Sequence, residues 1–427
     1  MKILLIKPDQ LNANGDKLGM KTPMRTLNLP YLAALTPREI TVEIVDDSME
    51  EINFTGAYDF IGITAMTGQA TRAYQIADKF REKGRKVIMG GIHATALPEE
   101  ALQHCDSVVI GEVENLWKDI LEDFRSGKPE QIYKAEQLAD LRSLPMPRYE
   151  LLKQKKFFSP FVPIQATRGC PHNCNFCAVS TYYGNKYRFR PVEDVVKEIV
   201  GSGYKKFYFC DDNITANRKY SRELFKALIP LKINWVGQST VNLGRDEELC
   251  KLAAASGCHF MCLGIESVDQ DNLISMNKGW SKVSDFHVLL NNMRRNGLSF
   301  VLNMIVGFDK DDNKVFSKIY DFSMECKTFF LALNTPIPYP GTKFAQELED
   351  NGRLLHKDWS KYVQGGIVYK LQNMDPEELR DGYWRLLRKF FSIRSILIRA
   401  GGQPLHNLAF YFDRNIGTYL SVKKGRY

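Results

Sequence analysis

No stretch of the chain approaches the roughly 18 consecutive apolar residues that a membrane-spanning helix needs, and the opening apolar run, Ile3 to Ile6, is far shorter than a secretion-signal core. The expected location is therefore cytoplasmic. Blocks of like charge and arginine-rich tails are missing too. The 58 Lys and Arg against 50 Asp and Glu leave +8 over 427 residues, an excess too thin to argue for nucleic acid. Internal repeats and low-complexity segments are not evident. With 44% hydrophobic and 25% charged residues, the composition excludes wholesale disorder, a collagen-like repeat and a coiled coil. What remains is a globular chain long enough for two or three domains of about 100 to 200 residues each.

The chain holds nine cysteines, an odd number with no secretion signal to accompany it. A disulfide framework is thus a poor expectation, and metal or redox chemistry a better one. The spacing of the thiols then decides the matter.

The first part of the chain alternates short β-rich apolar runs with amphipathic helical segments. The runs are Lys2 to Lys7, Thr41 to Asp46, Phe60 to Thr64, Arg85 to Gly90 and Ser107 to Ile110. Continuous apolar runs such as Ile3-Leu4-Leu5-Ile6 fit parallel strands buried on both faces, so a flavodoxin-like, Rossmann-type layer is predicted for residues 1–135. Such a sheet binds its ligand beyond the carboxyl ends of its strands. Residues 136–160, with Pro145 and Pro147 two apart, suit an extended connector. Six further strand-like runs follow in 161–345: Pro163 to Ala166, Lys206 to Cys210, Asn234 to Gly237, Phe260 to Ile265, Phe300 to Ile305 and Phe329 to Asn334. Helical segments separate them, as in a β/α barrel or partial barrel. Residues 346–427 read as mainly helical.

The strongest signal is Cys170-Pro171-His172-Asn173-Cys174-Asn175-Phe176-Cys177, directly after the first strand of the second domain. Thiolates are the usual ligands of iron-sulfur clusters, and three of them on one loop can hold three irons of a [4Fe-4S] cube, leaving the fourth open. A zinc site or three incidental cysteines are the plainer alternatives. Cys258 and Cys262 share a predicted strand, where free cysteine behaves as a small buried apolar group, and Cys105, Cys210, Cys250 and Cys326 get the same reading. His172 reads as a loop residue and not a ligand.

This spacing, with the six strands after it, resembles the radical SAM superfamily over roughly residues 160 to 345. The resemblance implies a partial (β/α)6 barrel in which Cys170, Cys174 and Cys177 hold the cluster and Phe176 lies against the adenine of S-adenosylmethionine (SAM). Asp211 and Asp212 stand where the family has Gly-Gly-Glu for the SAM amino group, a departure from its pattern. Glu266 and Ser267 correspond to ribose and carboxylate contacts. Ile305 and Gly307 match the adenine-binding strand, although Asn303 replaces that motif's first glycine. Gln238, at the end of the third strand, joins the implied cofactor-binding set, and Pro338-Tyr339-Pro340-Gly341-Thr342 resembles the turn closing the sixth strand. For each polar position taken alone, stabilisation of a strand end is the competing reading.

In the first domain, Thr64-Ala65-Met66 ends the third strand and Gly90-Gly91 the fourth; glycine there lets backbone approach a large flat ligand, and the threonine hydroxyl can hydrogen-bond it. Order and spacing resemble the cobalamin-binding fold over about residues 1 to 130, and Leu29-Pro30-Tyr31-Leu32-Ala33-Ala34-Leu35 resembles the helix start common in B12-binding radical SAM proteins. Gly111 and Glu112, after the fifth strand, are included in the implied site. His93 is read either as a contact to the corrin or its tail, or as a helix cap. The Asp-x-His-x-x-Gly motif that puts histidine on cobalt is missing, since Lys7-Pro8-Asp9-Gln10-Leu11-Asn12 has no histidine. The resemblance thus implies base-off cobalamin without a histidine ligand.

Together these resemblances imply a cobalamin-dependent radical SAM methyltransferase acting anaerobically on an unactivated carbon. Ring closure, oxidation or carbon-carbon coupling without methyl transfer is the rival. A tRNA methylthiotransferase would carry three more cysteines near its start, where residues 1 to 140 hold only Cys105. A non-enzymatic cobalamin sensor leaves the three-thiol loop unexplained. Asp358-Trp359 and the stretch Asp375 to Trp384 resemble hopanoid C-2 methylase-like proteins, which points to a lipid-like or polycyclic substrate. Trp384 to Arg399 mixes cations with bulky apolar groups at helical spacing, as either a helix packed on the barrel or one at a membrane surface would. The expected partners are a small-molecule substrate and an external reductant such as flavodoxin or ferredoxin, with no nucleic acid.

Overall fold

A computed structural model of the chain describes residues 1–12, 14–19, 25–152 and 160–425. Six strands form the first sheet: β1 (Lys2–Lys7), β2 (Thr41–Asp46), β3 (Phe60–Thr64), β4 (Lys86–Gly90), β5 (Ser107–Ile110) and β6 (Ile132–Lys134). Their order is β2-β1-β3-β4-β5-β6, with every neighbouring pair parallel. Ile3, Leu4, Leu5 and Ile6 are 0% exposed, which is why their run is apolar without alternation. The flanking helix Ala70–Arg81 turns Ala73, Tyr74, Ile76, Ala77 and Phe80 inward, at the spacing of one helical face. The sixth strand lay outside the sequence expectation because only Tyr133 of its three residues is buried.

The second sheet has the order β14-β13-β12-β11-β10-β7. Its strands are β7 (Val162–Ile164), β10 (Lys206–Phe209), β11 (Asn234–Ser239), β12 (Cys258–Glu266), β13 (Phe300–Ile305) and β14 (Phe330–Asn334). The pairs from β10 to β14 are parallel. A two-residue strand, β8 (Thr167–Arg168), pairs antiparallel with β9 (Arg188–Phe189). The cysteine loop begins directly after β8.

Contacts divide the chain into two compact units. One comprises Met1–Pro163, Phe176–Gly184 and Ile337–Val368; the other comprises Ile164–Asn175, Asn185–Pro336 and Tyr369–Tyr427. The helical region expected from 346 onward is therefore shared between the units, because residues up to Val368 find their partners in the first. Trp359, for instance, donates to Glu100 at 2.7 Å. Of the expected connector, residues 136–152 belong to the first unit and contain 3-10 turns at Leu141–Ser143 and Tyr149–Leu151, while 153–159 lie outside the described residues.

In the second unit the chain ends in helices Pro376–Phe390, Ile393–Ala400 and Leu408–Lys423. Asp375 starts the first with a capping box closed by Glu378. Ile396 and Tyr411 pack with Val301 of β13 and Phe329. Among the described residues no helix is long and apolar enough to cross a membrane. Arg399 is fully buried, and its guanidinium donates to the carbonyls of Thr328, Phe329 and Phe390, to Asn415 Oδ1 and to Ser395 Oγ. Burial pulls its pKa down to about 10. Removing it strands several buried acceptors at once. Arg399→Met should therefore cost about 3 kcal/mol in urea unfolding; a loss indistinguishable from zero would show that the hydrogen bonds carry no net stability.

Candidate functional site

In the first sheet the strand order reverses at β1, so the crevice for a ligand lies beyond the carboxyl ends of β1 and β3. The loops there are locked together. Ala65 N–H donates to the Gly90 carbonyl at 3.2 Å, and His93 N–H to the Ala65 carbonyl at 3.2 Å. Gly91 has φ +94°, and a Cβ on it would come 2.8 Å from Thr64 Oγ1 and 2.9 Å from the Ala65 carbonyl. Only glycine fits that position. Gly90 differs, since its Cβ would meet Val109 Cβ at 3.6 Å, an ordinary contact. The protein's own packing thus demands glycine at Gly91, whereas at Gly90 it leaves room for a side chain. Thr64 Oγ1 accepts from Asn28 Nδ2 at 3.2 Å. At the end of β5, Gly111 N–H donates to Thr95 Oγ1 at 3.0 Å and its carbonyl accepts from Tyr182 at 2.6 Å. Glu112 is buried and accepts from Ala139 N–H at 2.5 Å, which makes it a brace for the chain after β6.

His93 departs from both sequence readings. It is 0% exposed, and its helix Ile92–Ala96 has no side-chain cap. Its Nε2 lies 3.0 Å from the Tyr74 hydroxyl, which donates to Glu100 at 2.8 Å. Trp359 shares that carboxylate and sets its ring 5.2 Å from the imidazole. Burial pushes the Glu100 carboxyl up, but the donors His93, Tyr74 and Trp359 outweigh it and hold the group below its ordinary range. His93 belongs to the packing beneath the Gly91 turn.

In the second unit, Asp211 and Asp212 follow β10 as expected but serve different neighbours. Asp211 is fully buried and accepts from the backbone N–H groups of Ala166 and Thr167 and from the Thr167 hydroxyl. Burial still pushes its pKa up to about 7. Those donors fill much of its capacity, so Asp211 holds the strand before the cysteines. Asp212 accepts from Gly169 N–H at 2.8 Å, immediately before Cys170, and burial raises its pKa as well.

Cys170, Cys174, Phe176 and Cys177 are all half-buried. Among the described residues no three His, Cys, Asp or Glu side chains converge as metal ligands. Thiols without metal have no mutual attraction to draw them together, and the donor chemistry is that of an iron-sulfur ligand set. The remaining cysteines differ in kind: burial pushes Cys105, Cys250, Cys262 and Cys326 up to about 12 and also raises Cys210 and Cys258. Burial of this kind fits their reading as small apolar groups.

At the end of β12, Glu266 has φ +67°, where the pairing with β13 shifts register. Its carboxylate meets Lys278 Nζ at 2.8 Å, nearly out of water. Ser267 is buried and accepts from Asp269 N–H and Asn272 Nδ2, so its hydroxyl shapes the following turn. Gln238 Nε2 donates to the Tyr208 hydroxyl at 2.8 Å. Ile305 ends β13, buried, and Gly307 N–H donates to Asp311 Oδ2 at 2.9 Å while its carbonyl accepts from Tyr369 at 2.7 Å. The turn at Pro338–Thr342 falls in the first unit, where Thr342 caps the helix Lys343–Asp350. Sequence reasoning missed Lys278, Asp311 and Tyr369. Asp311 alone left a signal, as an acid four residues past a strand-end glycine.

Residues 164–323 match the family model of the radical SAM superfamily, and residues 21–121 match that of the B12 binding domain. Bacteriochlorophyllide d C-12(1)-methyltransferase of Chlorobaculum tepidum is 32% identical over 95% of this chain and 90% of its own. Hopanoid C-2 methylase of Rhodopseudomonas palustris is 24% identical over 77% of this chain and 65% of its own. Among solved structures, the radical S-adenosylmethionine methyltransferase TsrM from Kitasatospora setae, with cobalamin and a [4Fe-4S] cluster bound, superposes with a TM-score of 0.70 over 99% of both chains at 13% identity, which shows a shared fold.

Asp311 offers a test of the site's electrostatics. Burial raises its pKa from 3.8 to about 6 despite donors from Gly307, Phe308 and Asn272. A carboxyl raised in the folded state contributes stability below its unfolded pKa and loses it as pH climbs through the folded one. The contribution of Asp311 to unfolding free energy should therefore fall between about pH 4 and 6, so the stability difference between parent and Asp311→Asn should shrink by the same course as pH rises; a difference independent of pH would show that Asp311 titrates normally.

Proposed function

The chain belongs to the B12-binding radical SAM family of methyltransferases, and from that premise we propose that it methylates an unactivated carbon of a small apolar, fused-ring or lipid-like substrate, using a [4Fe-4S] cluster, SAM and cobalamin. When bound, the cluster with SAM supplies a carbon-centred radical, and cobalamin supplies a carrier for the methyl group. The observation that carries the reading is the pairing, in one chain, of the loop Cys170–Cys174–Cys177 after β8 with the glycine-locked turn at β3 and β4.

In this reading Cys170, Cys174 and Cys177 hold three irons as thiolates and leave the fourth for SAM. Phe176 lies on the same loop as a face for the adenine. Asp212, fixed by Gly169 N–H, offers its carboxylate toward the SAM amine, and Asp211 is the brace behind it. Glu266 and Ser267, at the end of β12, would orient the ribose and carboxylate, with Gln238 near the end of the neighbouring β11. Ile305 and Gly307 line the adenine strand. For cobalamin, Thr64, Gly90, Gly91 and Gly111 would bring backbone and hydroxyl to the ligand, His93 and Glu112 would support them from beneath, and Lys7 to Asn12 would offer the cobalt no histidine, in keeping with base-off binding. By function we divide the chain into a cobalamin part at 1–135, a linker at 136–160, a radical SAM core at 161–345 and a helical region at 346–427, a division that differs from the two units set by contacts.

A cluster held by thiolates suits a reducing compartment, so we place the protein in the cytoplasm with flavodoxin or ferredoxin as reductant. Ile393, Leu397, Ile398 and Leu405 are exposed on its last helices and their connecting turn, near Arg394, and support peripheral contact with a membrane holding the substrate.

Methyl transfer by this chemistry consumes SAM in two ways. With methyl-labelled SAM under reducing anaerobic conditions and a cell extract as substrate source, S-adenosylhomocysteine and 5'-deoxyadenosine should appear in equal amounts, with label entering an apolar metabolite. Alanine at Cys170, Cys174 or Cys177 should abolish deoxyadenosine. Deoxyadenosine formed with no label leaving SAM would replace methyl transfer with the ring-closure or oxidation reading.

A further inference from the structure

The first half of the cysteine loop is seated on the segment that follows helix Gln270–Ser275. Asn175 N–H donates to the Met276 carbonyl at 3.0 Å, and Asn175 Nδ2 to the Ser275 carbonyl at 3.0 Å. Asn277 Nδ2 donates back to the Asn173 carbonyl at 2.6 Å. Beside these bonds the His172 imidazole lies flat on the Trp280 indole, with centroids 3.7 Å apart and planes 10° from parallel. His172 stands between the first two cysteines, so this stack grips the loop between two of its thiols.

Trp280 does not end the chain of contacts. Lys278 Nζ sits 5.8 Å from the indole centroid, at the edge of cation–π range, and 2.8 Å from Glu266 Oε1. The lysine and glutamate side chains are 6% and 12% exposed, so neither charge has water to fall back on. Glu266 is aimed by a backbone with φ +67°, and a Cβ at Gly264 would come within 2.5 Å of its carboxylate and 3.1 Å of the ammonium. The space for this ion pair is thus built into β12.

We propose that Trp280 and Lys278 are positioning residues: Trp280 holds the cysteine loop through His172, and Lys278 joins that contact to Glu266, so that retention of the cluster and affinity for SAM are coupled through these side chains. The inference rests on the cluster and SAM assignments above. It adds what neither motif contains, because Lys278 and Trp280 belong to a connecting segment, and Trp280 meets His172 and Lys278 meets Glu266 only in the folded chain.

The test uses the full chain reconstituted anaerobically with iron and sulfide. Iron release to a ferrous chelator and SAM affinity by equilibrium dialysis are read for parent, Trp280→Leu, Trp280→Phe, His172→Leu, Lys278→Met and the Trp280→Leu/Lys278→Met double variant. Loss of one aromatic contact corresponds to roughly three- to tenfold. Trp280→Leu should speed iron release and weaken SAM by that factor, His172→Leu should match it from the loop side, and Trp280→Phe, which keeps a ring for the stack, should restore both. Lys278→Met should weaken SAM, and adding Trp280→Leu to it should weaken SAM no further. Melting of the cluster-free Trp280 and His172 variants should coincide with that of the parent, which separates loosening of the loop from unfolding, while the Lys278→Met proteins, which leave Glu266 unpaired, are read for SAM affinity below their own melting transitions. Parental iron release in Trp280→Leu, a Trp280→Phe protein as impaired as Trp280→Leu, or independent effects in the double variant would each overturn the coupling. A parent that takes up no iron would instead overturn the cofactor assignment on which it rests.

Discussion

A parallel strand covered on both faces leaves its polar groups mostly to its ends, and the placement of Thr64, Asp211, Asp212 and Glu266 follows from that constraint. Within β1 and β3 the interior positions Ile3 to Ile6, Phe60 and Ile61 are sealed from water. The first hydroxyl comes where β3 stops, at Thr64. In the second sheet the acids Asp211, Asp212 and Glu266 stand at or just beyond the carboxyl ends of β10 and β12. Chemistry is displaced to the strand ends because the sheet interiors exclude it.

Strand ends create a second demand, since backbone N–H groups leaving the ladder need acceptors. Asp211, Glu112 and Asp311 meet it, each buried and each accepting from main-chain N–H groups. A carboxylate so occupied is a poor partner for a ligand and a good anchor for a loop. Asp212 and Glu266 have other neighbours, the one accepting from the N–H directly before Cys170 and the other set against a lysine.

Much of this was legible in the sequence. The apolar runs located eleven strands within a few residues of where they fold, and the three-thiol spacing with the strand pattern around it led to both families. β6 was hidden because one buried tyrosine makes no pattern. The sharing of the helical region was hidden for a different reason: Trp359 finds Glu100 some 259 residues away, and no local periodicity encodes such a pairing. His93 reads in the sequence as a corrin contact or a helix cap, yet Tyr74 and Glu100 draw it into the packing. Lys278 and Trp280 sit in a stretch without regular structure, and their importance appears only when His172 and Glu266 are found against them.

The central claim is that one chain carries a single three-thiolate cluster together with a cobalamin lacking a histidine ligand. Its most direct test is metal analysis of the anaerobically reconstituted chain combined with electron paramagnetic resonance of the cob(II)alamin form. The account predicts about four irons and about one cobalt per chain, with no nitrogen superhyperfine splitting on the cobalt signal. Nitrogen splitting, a second cluster, or a chain that takes up iron but no cobalt would contradict it.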